Sequence, residues 1–213
     1  MIDARFFMAR RSLLIVAAVL VAFAATLFVL GWKSAGNAAK EQGLGYSSET
    51  VGGDFTLTSA DGPVALKGMR GSVVLLFFGY TSCPAACPTT LTMVKEALAR
   101  LDKKEADRVR ILFITIDPER DSAQKLKEYV AYFHPNIIGL TGSRDEIVDV
   151  ADQYGVLFFK EEVADSALGY TFLHDTRIRL VTPEGSLGEA ISHDTMPEEM
   201  AQRIRSYLGA GRR

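Results

Sequence analysis

Apolar positions along the chain change period in a way that marks out its elements. Leu13 to Trp32 has no period at all: twenty successive residues carry no charge. At ~1.5 Å rise per residue a helix of that length spans ~30 Å, the thickness of a bilayer core. Lys33 to Thr50 is small, polar and glycine-containing, the composition of a tether. From Asp54 the pattern turns strand-like: Asp54-Phe55-Thr56-Leu57-Thr58 alternates, and Asp61-Gly62 is a hairpin signal before Val64-Ala65-Leu66. Ser72 to Phe78 is a continuous apolar run, as expected of a strand buried on both faces. Pro88 suits a first helical turn, and Leu91, Val94, Leu98 and Leu101 recur at helical spacing up to about Lys104.

The second half repeats the alternation. Val109 to Ile116 reads as another buried strand, followed by a helix from Ala123 to Phe133 capped at Asp121 or Ser122. Ile137 to Leu140 is a short strand. Ser143 to Tyr154 is a helix opened by a Ser143–Glu146 capping box. Thr176 to Thr182 is a strand, Pro183-Glu184-Gly185 turns into a last edge strand, and Pro197 to Leu208 is a closing helix. Strands alternating with helices imply an α/β sandwich whose central mixed sheet is flanked by helices.

Charge orients the N-terminal run. Arg5, Arg10 and Arg11 precede it against Asp3 alone, so the positive-inside rule keeps residues 1–11 cytoplasmic. Residues 12–32 are then a transmembrane anchor, Trp32 lies at the interface, residues 33–50 are a linker, and the domain 51–213 is exported. A cleaved signal peptide is the rival, with small residues from Ala35 to Ala39 for a cut, but signal h-regions run ~7–15 residues. An uncleaved single-pass anchor in the cytoplasmic (inner) membrane, with the domain on the periplasmic side, is the expectation. Beyond the run the net charge is about −4, which argues against a nucleic-acid partner.

Cys83 and Cys87 are the only two cysteines. They follow the first buried strand, beyond whose carboxyl end sites in such sheets lie. In an oxidising compartment a disulfide is allowed, yet closing so short a loop constrains the unfolded chain little. Placed at i and i+4 on one helical turn, their Cβ atoms would stand ~5–6 Å apart, further than the ~3.5–4.5 Å of a disulfide. Two thiolates around one soft ion tolerate the spacing better. Both uses remain open on spacing alone. A metal needs a third ligand, and of His134, His174 and His193 it is His174, just before the Thr176–Thr182 strand, that can face the cysteines.

Phe78-Gly79-Tyr80-Thr81-Ser82-Cys83-Pro84-Ala85-Ala86-Cys87-Pro88-Thr89-Thr90-Leu91 closely resembles the signature of the Sco/SenC proteins. The resemblance extends over residues 50–208, through Asp54-Phe55-Thr56-Leu57, Asp117-Pro118-Glu119-Arg120-Asp121, Gly139-Leu140-Thr141-Gly142, Tyr154-Gly155-Val156 and the Pro183-Glu184-Gly185 turn. It implies a membrane-anchored, thioredoxin-like domain that binds copper, as Cu(I) or Cu(II), through Cys83, Cys87 and His174. It further implies a metallochaperone that delivers copper to the copper-bearing subunit of cytochrome c oxidase, loaded in turn by a copper donor protein. The alternative is a thiol–disulfide oxidoreductase in which Cys83 and Cys87 reduce the cysteines of that oxidase site. The chain departs from the family at one point. Asp-His-Ser or Asp-His-Thr is usual there, whereas Leu173 precedes His174 and Asp175 follows it.

Other residues invite blander readings. His134 suits a helix C-terminus, stabilised by the dipole. Asp117 lines the site, meets a partner or only shapes the turn before Pro118. His193, Met196 and Met200 have the chemistry of a second soft-metal site, against the simpler reading of a helix packing its apolar stripe.

Overall fold

The computed structural model describes Thr26, residues 52–163 and residues 169–210. Apart from Thr26, which is helical and exposed, the apolar run of residues 13–32 lies outside the described residues, as does the linker. Among the described residues no helix is long and apolar enough to cross a membrane.

The elements in chain order are β1 (Thr56–Ser59), β2 (Gly62–Ala65), β3 (Val73–Gly79), α1 (Ala86–Leu98), α2 (Lys103–Ala106), β4 (Val109–Thr115), α3 (Ala123–Ala131), β5 (Ile137–Leu140), α4 (Arg144–Gln153), β6 (Phe158–Glu162), β7 (Tyr170–His174), β8 (Ile178–Val181), β9 (Leu187–Ile191) and α5 (Pro197–Ala210). Five strands form one sheet in the order β5-β4-β3-β8-β9. β3, β4 and β5 run parallel, while β8 pairs antiparallel with β3, and β9 with β8. This is the mixed sheet flanked by helices that the alternation implied.

β3 lies at its centre, and all seven of its residues are buried. Successive side chains of a strand point to opposite faces. Val73, Leu75 and Phe77 therefore pack with Leu91 and Val94 of α1, Leu126 and Val130 of α3, and Ile204 of α5. Val74, Leu76 and Phe78 pack on the other side with Leu57, Ile147 and Ala151 of α4, Tyr154, Phe158 and Phe172. Covering both faces is what permits an uninterrupted apolar run in β3 and in β4.

Two boundaries differ from the periodic reading, and between them the structure decides which residue caps α3. α1 stops at Leu98 instead of reaching Lys104. Asp102 starts a separate turn, accepting from the Glu105 amide while Glu105 accepts from the Asp102 amide. A reciprocal cap of this kind restarts a helix. α3 is capped by Ser122, which accepts from the Lys125 amide, while Asp121 turns inward. The strand expected from Thr176 is only Ile178–Val181, because the Asp175 carboxylate captures the Arg177 amide and bends the chain first.

The β6–β7 hairpin was not anticipated. It forms its own two-stranded sheet, with Phe158 opposite His174 and Phe159 opposite Leu173. Phe158-Phe159-Lys160-Glu161-Glu162 does not alternate in the manner of a half-buried strand. Its pairing is sustained by side chains far off in sequence.

Candidate metal centre

The cysteine loop is held from below by the sheet. Gly79 ends β3, and a β-carbon there would fall 2.7 Å from the Cys87 Sγ and 2.9 Å from the Phe113 ring. Only glycine lets the Cys87 sulfur pack over the end of the strand. Beyond it, Asp121 gathers the loop from inside the protein. Its fully buried carboxylate accepts from the Thr81 amide at 2.9 Å, from the Thr81 hydroxyl at 2.5 Å, from the Thr115 hydroxyl at 2.8 Å and from Lys125 Nζ at 3.0 Å. The loop carrying Cys83 is thus tied to β4 and α3.

Cys83 lies before the helix, and Cys87 is the second residue of α1. The two do not share a helical turn, which corrects the geometry assumed from the i, i+4 spacing. Neither sulfur is in a disulfide. Cys83 is half-buried and Cys87 buried. The Cys87 amide, one of those left free at a helix start, points at the Cys83 Sγ at 3.4 Å. The Cys87 thiol donates to Cys83 and lowers its pKa to about 3; burial opposes this, while the Cys87 and Ala85 amides add to it. That same bond, with burial and the adjacent negative charge, pushes the Cys87 thiol up. The pair holds one proton between two sulfurs, with the thiolate on the more accessible one.

His174 arrives from the opposite side, as the last residue of β7. Its Nε2 stands 4.0 Å from the Cys87 Sγ. Its Nδ1 is 3.1 Å from the Asp175 backbone carbonyl. A carbonyl oxygen only accepts, so Nδ1 carries the hydrogen and Nε2 is the atom turned toward the sulfurs. The Tyr80 ring meets the imidazole edge-on at 6.0 Å, and its hydroxyl bonds Thr171 of the same hairpin at 2.9 Å.

A second set of ties seats the hairpin. The Tyr170 hydroxyl donates to Asp117 at 2.9 Å. Arg120 pairs with Asp117, donates to the Tyr170 carbonyl and lies 3.7 Å from the Tyr170 ring centre, as does Lys160. Asp117 therefore does more than shape a turn: it fastens the strand that leads to His174.

The two Sγ atoms and the histidine nitrogen lie within 4.8 Å of one another. Two sulfurs and an imidazole suit a soft or borderline ion such as copper or zinc. The other expectations fare differently. His134 lines a separate groove with Asp61 and Lys127, and its pKa is lowered by burial and by Lys95, contrary to a dipole-stabilised cation. His193 bonds the Thr176 hydroxyl, Met200 is buried in the core and Met196 is largely exposed, so no second soft-metal cluster is assembled there. The supporting roles of Gly79, Tyr80 and Asp121 went unread in the sequence. The one available signal was a dense charged segment, Asp117-Pro118-Glu119-Arg120-Asp121, directly after a buried strand.

Comparison with known proteins agrees with this geometry. The model of the SCO1/SenC family matches residues 45–209. An SCO2-like protein of Rickettsia conorii is 36% identical over 157 residues, which cover 73% of this chain and 76% of that one. The chain spans 52% of a mitochondrial SCO1 homologue of Arabidopsis thaliana, also 36% identical over the 174 residues matched. Among solved structures, Bradyrhizobium japonicum ScoI with copper bound is similar at a TM-score of 0.67 and 37% identity, covering 74% of this chain and 99% of that one. BsSco, described as a member of the Sco family of cytochrome c oxidase assembly proteins with a disulfide switch, is similar at a TM-score of 0.58 and 26% identity, covering 76% of this chain and 95% of that one. The fold, the cysteine motif and these similarities converge: the chain belongs to the SCO1/SenC family.

Proposed function

We propose that this protein carries copper for assembly of the copper centre of cytochrome c oxidase, with Cys83, Cys87 and His174 as ligands. The observation that carries the reading is the convergence of two sulfurs and one imidazole nitrogen within 4.8 Å, from a loop and a hairpin distant in sequence. Copper is the cargo here. Three ligands leave the ion an open position through which an incoming ligand exchanges, whereas a closed four-ligand cage resists release. Residues 12–32 anchor the domain in the cytoplasmic membrane and residues 33–50 let it reach its partners, a copper donor and the copper-bearing oxidase subunit, on the outer side.

The test is a copper titration of the reduced soluble domain, residues 34–213, in both oxidation states. Wild type is expected to bind one copper with sulfur charge-transfer absorption. Cys83→Ala and Cys87→Ala lose tight binding, and His174→Ala weakens it by about 10–100-fold. Stoichiometric copper retained by the double cysteine variant would sink the reading.

A second reading rests on the inequality of the two sulfurs. The Cys83 thiolate attacks one sulfur of a partner disulfide, forming a mixed disulfide and releasing the other partner sulfur as a thiolate. Cys87 then displaces the remaining partner sulfur, leaving a Cys83–Cys87 disulfide. The partner gains two electrons from this chain; Cys87 gives up the one proton the pair held, and the second proton on the partner's thiols comes from water. His174→Ala separates the readings: copper transfer fails while dithiol exchange survives.

A further inference from the structure

Asp175 stands where the family pattern has serine or threonine, and Leu173 where it has aspartate. The structure gives this exchange a role. The Asp175 peptide is fixed at both ends, its N–H bonding the Leu157 carbonyl at 2.9 Å and its carbonyl receiving His174 Nδ1 at 3.1 Å. Its carboxylate turns away from the sulfurs to Arg179, 4% exposed, whose Nη2 donates to it at 2.6 Å. Arg179 also donates to the carbonyls of Tyr154 at 2.9 Å and Gly155 at 2.8 Å, just past the end of α4. Free carbonyls at a helix end are a natural seat for a cation. Arg177 pairs with the same carboxylate from the solvent side.

We propose that the pair of buried Arg179 and partly buried Asp175 is a positioning device for His174, fixing the carbonyl that holds Nδ1 so that Nε2 is presented to the metal. Leu173, 60% exposed, offers the imidazole no carboxylate, and the Asp175 backbone carbonyl holds Nδ1 in its place. The end of α4 is thereby coupled to the orientation of a ligand on β7. This rests on His174 serving the proposed copper site, but its first consequence is readable without metal. Arg179 and Asp175 act through His174 and touch no ion.

The experiment measures imidazole nitrogen protonation by two-bond proton–nitrogen correlation in the reduced, metal-free domain. It compares wild type, Asp175→Asn and the charge-free double variant Asp175→Asn/Arg179→Leu, at a pH where His174 is neutral. Wild type is expected to carry the hydrogen on Nδ1. Both variants shift population to the Nε2–H form, and Cu(I) affinity falls about tenfold. A purely structural pair would lower stability without moving the tautomer. A wild-type imidazole protonated on Nε2 overturns the proposal, as does a folded variant that keeps both the wild-type tautomer and affinity. Should the double variant fail to fold, wild type and the isosteric Asp175→Asn decide. Loss of copper binding by wild type with the Nδ1–H form intact would count against the copper reading alone.

Discussion

The two halves of the site are built by different physics. The sulfur half lies on the domain's stiffest scaffold, at the end of the fully buried β3, under Gly79 and around the buried Asp121 carboxylate. The histidine half is carried by a two-stranded ribbon outside the main sheet, seated by stacking on Tyr170 and by ion pairs at the surface. An isolated two-stranded hairpin is marginally stable in water, so its position depends on those contacts. The ligand pair thus sits on the central sheet, and the third ligand on a separate ribbon whose place is set by side-chain contacts.

The contrast is sharpest between the two sulfurs. With its pKa lowered to about 3, Cys83 is a thiolate throughout the neutral range, while Cys87 is buried and protonated. Alkylation of reduced protein by iodoacetamide is expected at Cys83 alone, at a rate nearly flat from about pH 5 to 8, where an ordinary thiol would gain about tenfold per pH unit. Peptide mass mapping checks this, and equal labelling of both cysteines would refute the ordering. Above about pH 9 the raised Cys87 pKa works against the folded state, and by that pH the lowered Cys83 pKa contributes its stability in full. That contribution is lost as pH falls toward the folded value.

Next in size is Asp121→Ala. It strips the buried acceptor from Thr81, Thr115 and Lys125 and is expected to cost about 3 kcal/mol in denaturant unfolding. It also loosens the sulfur loop, so Cys87 becomes open to alkylation in the folded protein. Gly79→Ala costs about 2 kcal/mol by forcing its methyl against Cys87 and Phe113. Its copper charge-transfer band shifts because the Cys87 sulfur is displaced. Unchanged stability would mean that the loop gives way freely, against the stiffness argued for it. The smallest effect belongs to the histidine half. Tyr170→Phe keeps the stacked ring, loses the bond to Asp117 and costs about 1 kcal/mol. Hydrogen exchange in β6 and β7 should quicken while that in β3 and β4 does not. A uniform change would mean that the ribbon is no softer than the sheet.

The sulfur half was legible because its features are local. An apolar run, a glycine, two cysteines and a proline occur within one short stretch, and burial of β3 follows from its composition. The mixed sheet, the Ser143–Glu146 cap and the Asp61-Gly62 turn are likewise local signals that the structure reproduces. The ribbon was not legible because Phe158 to Glu162 lacks alternation, and what stabilises it comes from Tyr80, Asp117 and Arg120, each far away along the chain.

Apart from α2 and the β6–β7 ribbon, the sequence by itself determined the element order, the site's place beyond β3 and the identity of its three candidate ligands. Hydrophobic periodicity and motif chemistry act over a few residues and survive without a partner. Tertiary structure alone decided that Cys83 precedes the helix instead of sharing a turn with Cys87, and that Asp121 braces the loop instead of capping α3. It also decided that Asp175 faces two arginines and lends His174 only its backbone carbonyl. Each of these turns on where a buried charge or donor finds its partner, and in a folded chain that partner is set by the packing of distant elements.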